Sequence, residues 1–439
     1  MTTRKHLLYL AWGFPPSRAG GVYRALATVN AFAAADWDVT VVTASRETFE
    51  RYTGADTSLE ALVDPRVTVR RIGFDWPAQD TDIRRYSALR VTLPPLWSRL
   101  RRLADEVPFP EASYGPWRAP LAAAARAVHD EHAVDLTIAT ANPHVTFAAA
   151  HDLSRSAGVP YVMDYRDAWR LDVFSGATTA RDRSRVGRWE RRLVAGAREV
   201  WFVNEPIRAW HQERYPHAAD RMHVVANGWD PGLLEVPLAR TAPPGPGLRL
   251  AYLGTVTPKV PLAELLSGWR LALAEGRLPA GSTLTLGGHL GYFSVPQGTL
   301  AQAIADAAAD GVRYAGPVAK AEVARFYADA DALVLALGSG RYVSSGKVYE
   351  YVAAGRPVVA VHDPRNATTD VLREHPLVAR VAQVTPDEVA RALGEVPALV
   401  AAAPDHADTL ARLALAYRRD VQLSPRVAAL GATLDERDT

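Results

Sequence analysis

Short apolar runs alternate with longer amphipathic ones along most of this chain, and that alternation limits what it can fold into. HLLYLAW (6–12), DVTVVTA (38–44), VDLTIAT (134–140), PYVMDY (160–165) and EVWFVN (199–204) read as buried strands. YRALATVNAFAAA (23–35), 119–131 and 145–157 carry helical spacing between them. Strand–helix alternation of this kind builds a parallel sheet covered on both faces. A second series follows: LRLAYLG (248–254), STLTLGG (282–288), GVRYAG (311–316), DALVLAL (331–337) and RPVVAV (356–361). The two series are separated by EVPLARTAPPGPG (235–247), whose four prolines and two glycines suit a linker. At 439 residues the chain exceeds what one core usually holds. The expectation is an α/β protein of two doubly wound domains facing a central cleft. The first spans 1–235, a linker 236–247 and the second 248–415, with a helical segment, 416–439, packing back on the first domain.

Composition removes several classes of function. The net charge of +2 argues neither for nor against nucleic acid, so only local patches can speak, and no nucleic-acid partner is expected. The absence of cysteine excludes disulfides and thiolate metal sites and fits a cytoplasmic location. MTTRKHLLYLAWGF breaks at Trp12-Gly13 without a small-residue cleavage site and reads as a first strand, not a signal peptide. No apolar stretch approaches the roughly 20 residues needed to span a bilayer. Lysine is rare: Lys5, Lys259, Lys320 and Lys347 stand against 46 arginines. Arginine is the default cation of this chain, so a lysine marks a position where the compact ammonium group can matter.

Two segments could carry chemistry. In FPPSRAGGVYR (14–24), Gly20 and Gly21 join the first strand to its helix, where an anion can approach backbone N–H groups closely. A plain flexible connector is the competing reading. Neither the dinucleotide glycine pattern nor the Walker pattern is present. In SSGKVYEYVAAGRPVVAV (344–361), a helix starts near Lys347. Ser345, Gly346 and the following N–H groups are placed to hold a diphosphate, with Lys347 adding charge and Glu350 facing sugar hydroxyls one turn on. An ordinary Lys–Glu pair on a helix surface explains the same spacing.

The order of these segments carries a resemblance. GFPPSRAGGVYRALATVNAFAAADWDVTVVTA, TIATANPHVTFAAAHDLSRSAGVPYVMDYRDAW (137–169), VVANGWDP (224–231) and KVYEYVAAGRPVVAV resemble family-4 retaining glycosyltransferases of the GT-B fold, over residues 6 to 361. The resemblance implies two Rossmann-like domains and transfer of a sugar from a nucleotide-sugar donor with retained configuration, without a separate cofactor. The donor would sit on the C-terminal domain and a glycan, lipid-linked or natural-product acceptor on the N-terminal one. Gly20 and Gly21 match glycines that face donor phosphates, and Lys259 matches a phosphate-pairing lysine. Gly316 and Pro317 match a loop lining the base pocket, and Glu350 a ribose-binding glutamate. The family's partner glutamate falls on Tyr342, and Thr255 replaces an arginine. Arg341 and Arg18 are candidates for the missing cation. A non-catalytic GT-B subunit or a nucleotide-sugar epimerase are the alternatives.

His144 stands as a candidate catalytic contact with the donor sugar, against a locally packed helix-start histidine. Asp167 is a candidate base, and Asp164 and Arg166 candidate acceptor contacts, against an arginine clamped between carboxylates as a structural device. The one Asp-x-Asp, Asp329-Ala330-Asp331, starts a strand, the wrong end for a metal site, so metal-independent chemistry is expected. RRYSALRVTLPPLWSRLRR (84–102) holds six arginines and no acid. Peripheral contact with the inner face of a membrane competes there with a solvated insertion. The prolines at 94–95 favour the second by splitting any helix. Arginine and alanine richness suggests a high-GC bacterial source.

Overall fold

The computed structural model describes residues 4–232, 234, 246–291 and 298–435. The chain divides into two compact units. The first takes the described residues of Met1–Asp172, Ala177–Ala226 and Leu423–Thr439, the second those of Val173–Gly176 and Asn227–Gln422. Most of the expected linker, 236–245, lies outside the described residues.

The first unit is built on a seven-stranded parallel sheet. Its strands are β1 (His6–Leu10), β2 (Asp38–Ala44), β3 (Val67–Ile72), β4 (Leu136–Thr140), β5 (Tyr161–Tyr165), β6 (Glu199–Phe202) and β7 (Met222–Val224). They run in the order β3-β2-β1-β4-β5-β6-β7. The central strands β1, β4 and β5 are buried throughout because helices cover both faces. Helix Val22–Ala34 turns Ala25, Val29 and Phe32 inward against Tyr9, Val41 and Ile138. From Leu423 on, the last helix (Arg419–Asp435) adds Leu423, Val427, Leu430 and Leu434 to the same core, a spacing that keeps one face inward.

The second unit has six parallel strands: β8 (Arg249–Leu253), β9 (Thr283–Gly287), β10 (Val312–Gly316), β11 (Ala332–Ala336), β12 (Val358–Val361) and β13 (Val378–Arg380). Their order is β10-β9-β8-β11-β12-β13. Strand order reverses between β1 and β4 in one sheet and between β8 and β11 in the other. Beyond the carboxyl ends of such neighbours, loops diverge and leave room for a ligand. The loops bearing Gly20-Gly21 and His144 leave β1 and β4, and those bearing Lys259 and Lys347 leave β8 and β11. Among the described residues, no helix is long and apolar enough to cross a membrane.

Candidate functional site

In the second unit, β11 leads through a loop into helix Gly346–Ala354, capped by Ser345, whose hydroxyl accepts from the Lys347 N–H at 3.2 Å. That N–H, expected to face a diphosphate, is taken by the cap. The charge at the helix start comes from side chains. Glu350 lies one turn on, largely buried, and is no simple surface partner of Lys347. Its Oε1 accepts from Lys320 Nζ at 3.0 Å, and its Oε2 from Tyr327 Oη at 2.6 Å and Lys347 Nζ at 3.3 Å. Burial alone would raise this carboxyl. Lys347 and Lys320, with the Tyr327 hydroxyl, outweigh burial and hold it down at about 2. Two lysines converge on one carboxylate at a helix N-terminus, where the helix dipole also favours anions. Two of the chain's four lysines meet here. Lys320 was not among the residues expected at the site. Lysine rarity was the signal that pointed to it.

Lys259 stands in the loop after β8, with Nζ 3.4 Å from the centroid of the Phe174 ring. Among the described residues its charge is met by an aromatic face and by no carboxylate. Together with Ser339, Asp363 and Gln383 it lines a hollow of about 880 Å³ beyond the ends of β8, β11, β12 and β13. Gly316 closes β10 at φ +76°, a conformation suited to glycine, and its carbonyl accepts from the Gly288 N–H. Pro317 follows beside a largely apolar hollow of about 830 Å³, lined among the described residues by Leu290, Ile304 and Tyr314. Asp331, of the Asp-x-Asp pair, receives the Arg249 N–H at 2.7 Å and pins β11 to β8.

In the first unit the corresponding loops are differently filled. Asp164 does not reach an acceptor surface. It is fully buried, gripped by Arg24 through Nε (2.9 Å to each oxygen) and Nη2 (2.7 Å), and receives the Thr140 hydroxyl at 2.9 Å. Arg24 also donates to the Val225 carbonyl at 2.8 Å. The pair therefore ties the first helix to β5 and to the chain leaving β7. Arg166 is not clamped between two carboxylates, as Asp164 is taken. Its Nη2 pairs with Asp167 at 2.9 Å, and its guanidinium lies over Gly21, where an added Cβ would fall 1.8 Å from Nη1. Gly21 thus admits a cation against the start of helix Val22–Ala34, which has no side-chain cap and no acid in its first turn. Gly20 is open, with nothing within 4 Å of an added Cβ.

His144 offers no free nitrogen for catalysis. Nδ1 meets Glu111 Oε1 at 3.0 Å and Nε2 meets the Asp167 carbonyl at 3.0 Å, while the ring stacks on Trp169. Both partners are acceptors, an arrangement that favours the imidazolium form, in which both nitrogens donate. Burial would lower its pKa, but Glu111 outweighs burial and raises it. Glu111 also accepts from the N–H groups of His144 (2.9 Å) and Val145 (2.8 Å), filling the N-terminus of helix Val145–Ala157 with a carboxylate of the chain itself. Sequence reading missed Glu111 because it lies 33 residues away and carries no motif.

Residues 249–397 match the family model described as Glycosyl transferases group 1. No curated protein sequence matches the chain. Among solved structures, the chain is similar to a glycosyltransferase from Rickettsia africae (10% identity, TM-score 0.69, covering 98% of this chain and 99% of that one). It is also similar to a sucrose-phosphate synthase from Thermosynechococcus elongatus (15% identity, TM-score 0.64, 99% and 100% covered). A third is HepE from Anabaena, solved with UDP and glucose (16% identity, TM-score 0.61, 98% and 100% covered). Such distant likeness shows the fold: two Rossmann-like domains of the GT-B type. The second unit carries a glycosyltransferase group 1 domain, and enzymatic glycosyl transfer is the class of activity that domain brings.

Proposed function

We propose that this protein is a retaining glycosyltransferase whose second unit binds a nucleotide-sugar donor through Lys320, Lys347 and Glu350. The acceptor is a hydroxyl of a glycan, lipid-linked or natural-product molecule. The observation that carries this reading is the convergence of Lys320 and Lys347 on Glu350, at a helix start in the matched domain. HepE, of the same fold, holds UDP and glucose. A diphosphate arriving beside Glu350 draws Lys320 and Lys347 toward its oxygens, and the carboxylate so released turns to the ribose hydroxyls. Lys259 is the third cation placed to offset the charge that develops on the leaving diphosphate. The acceptor oxygen bonds to the anomeric carbon on the face from which the diphosphate departs. The acceptor's proton passes to the departing phosphate oxygen, which balances the step. Metal-independent transfer is part of this proposal, supported by the use of Asp331 in tying β11 to β8, and turnover should then persist in EDTA.

The test is turnover of a panel of nucleotide sugars by the purified chain, read as release of nucleoside diphosphate, with the product's anomeric configuration assigned by NMR. Release from one donor class with retained configuration supports the proposal. An inverted product overturns retention, and absence of both release and nucleotide binding overturns the proposal as a whole.

A further inference from the structure

In the segment around 84–102 the prolines do divide the helical stretch: a short helix, Ala88–Thr92, ends at Leu93, and Pro94 and Pro95 open a second one, Pro94–Glu106, in whose first turn missing N–H groups cost nothing. What the expectation lacked is the long amphipathic helix that follows the break. The longer helix docks by a narrow edge. Asp105 is buried, forms an ion pair with Arg101 (Nε to Oδ1 2.8 Å), and packs its backbone so closely on Gly115 that an added Cβ there would fall 1.9 Å from the Asp105 carbonyl. The opposite edge carries Leu93, Leu96, Leu100, Leu103 and Val107, spaced three and four apart, and each is between 44% and 69% exposed. Of twelve large apolar residues exposed among the described residues, seven lie between Ile83 and Val107. Scattered exposed leucines need no explanation, but a continuous row does.

The charge beside this row is positive. Residues 83–107 hold six arginines against Asp105 and Glu106. Arg99, exposed and flanking the row, makes no ion pair among the described residues. Arg102 and Glu106 also line a hollow of about 770 Å³ together with Arg181, Arg183 and Arg185. The acids that line it are already engaged, Glu106 by Arg102 and Glu111 by the His144 ring and two N–H groups, and Asp182 nearby is held by the buried Arg170. Arg185 Nη2 donates to the Val107 carbonyl at 2.9 Å, so the arginine hollow and the leucine row form one surface. The helix that begins there, Arg185–Gly196, has no acid in its first turn, and cations at that end oppose its dipole. An anion in the hollow relieves that opposition.

We infer that this face of the first unit docks on an anionic lipid surface, the leucine row entering the acyl boundary and the arginines meeting lipid phosphates. Apolar burial and anionic attraction are the two contributions that hold an amphipathic helix in a bilayer interface, and both are present side by side. A second copy of the chain fits less well. An isologous contact would set two patches of the same positive sign against each other.

The inference stands apart from the glycosyl-transfer reading, because docking needs no donor. Its test is flotation of the full-length protein with vesicles of phosphatidylcholine alone or with about one third phosphatidylglycerol, a content that makes the surface strongly negative. We expect binding to the anionic vesicles only, weakening with salt. Leu100→Glu with Leu103→Glu should abolish it, and Arg181→Glu with Arg183→Glu should weaken it at least about tenfold. All four side chains are exposed or line an open hollow, so melting temperature and nucleotide binding should match the parent protein. Absence of binding to anionic vesicles, or binding indifferent to salt and to both double variants, would overturn the inference. So would a dimer of the parent protein that the leucine variant makes monomeric.

Discussion

The two helix starts at the reversal points of the two sheets are alike in topology and opposite in charge. At the start of helix Val145–Ala157 the chain supplies its own anion: Glu111 satisfies two N–H groups and the His144 ring. At the start of helix Gly346–Ala354 two lysines crowd a single carboxylate, and Lys259, on the neighbouring loop, has only a ring face among the described residues. The first place is electrostatically closed and the second open to an anion. Position in a doubly wound fold therefore marks where a ligand can sit, and local charge closure decides whether one is needed.

That comparison can be broken experimentally. Its largest consequence concerns the closed region. Arg24→Ala leaves Asp164 a buried, unpaired charge and should lower stability by about 3–5 kcal/mol in chemical denaturation. A loss below about 1 kcal/mol would show that the first unit is not held by this pair. The effect of Glu350→Ala should be smaller, about 1–3 kcal/mol, since its lysine partners keep some solvent. Acid titration sharpens this. The Glu350 carboxyl is lowered from its ordinary 4.5 to about 2 in the folded protein. Its contribution is complete above 4.5 and is lost as pH falls toward 2. Over that window the melting temperature should drop more steeply for the parent protein than for Glu350→Gln.

Glu111→Gln should cost about 1–2 kcal/mol near neutrality, through the uncapped helix and the unpaired imidazolium. His144 is raised above its ordinary 6.5, so its stabilising share is complete below that value and fades as pH rises through the folded-state value. Thermal melts from about pH 6 upward should show this decline in the parent protein and a flatter profile in the variant. The smallest effect belongs to Gly21→Ala. The atom in its way is the end of the flexible Arg166 side chain, so stability should change by less than about 1 kcal/mol while the guanidinium moves. A large loss would mean that Arg166 is locked in place.

Much of the fold was legible because central strands of parallel sheets are continuous apolar runs. The strands that escaped, β3, β7 and β13, all lie at sheet edges. β3 carries Arg70 and Arg71 and is only half-buried, so it lacks the signal that marked β1 or β4. Partnerships within the site were less legible. Asp164, Arg166 and Asp167 are neighbours in sequence, yet Asp164 is held by Arg24, 140 residues away. Glu350 was readable from its place after Lys347, whereas Lys320 reaches it from 30 residues away and only its rarity marked it. Spacing along one helix can be read directly. Pairings made by the crossing of loops require the fold.

The most direct test of the central claim is calorimetric titration of UDP and the other nucleoside diphosphates into the parent protein, the Lys320→Ala/Lys347→Ala variant and Glu111→Gln. One diphosphate should bind the parent protein and Glu111→Gln alike, and the double lysine variant at least about tenfold more weakly, each lost charged contact counting for more than about 1 kcal/mol. Equal affinity for the parent protein and the double lysine variant would contradict it.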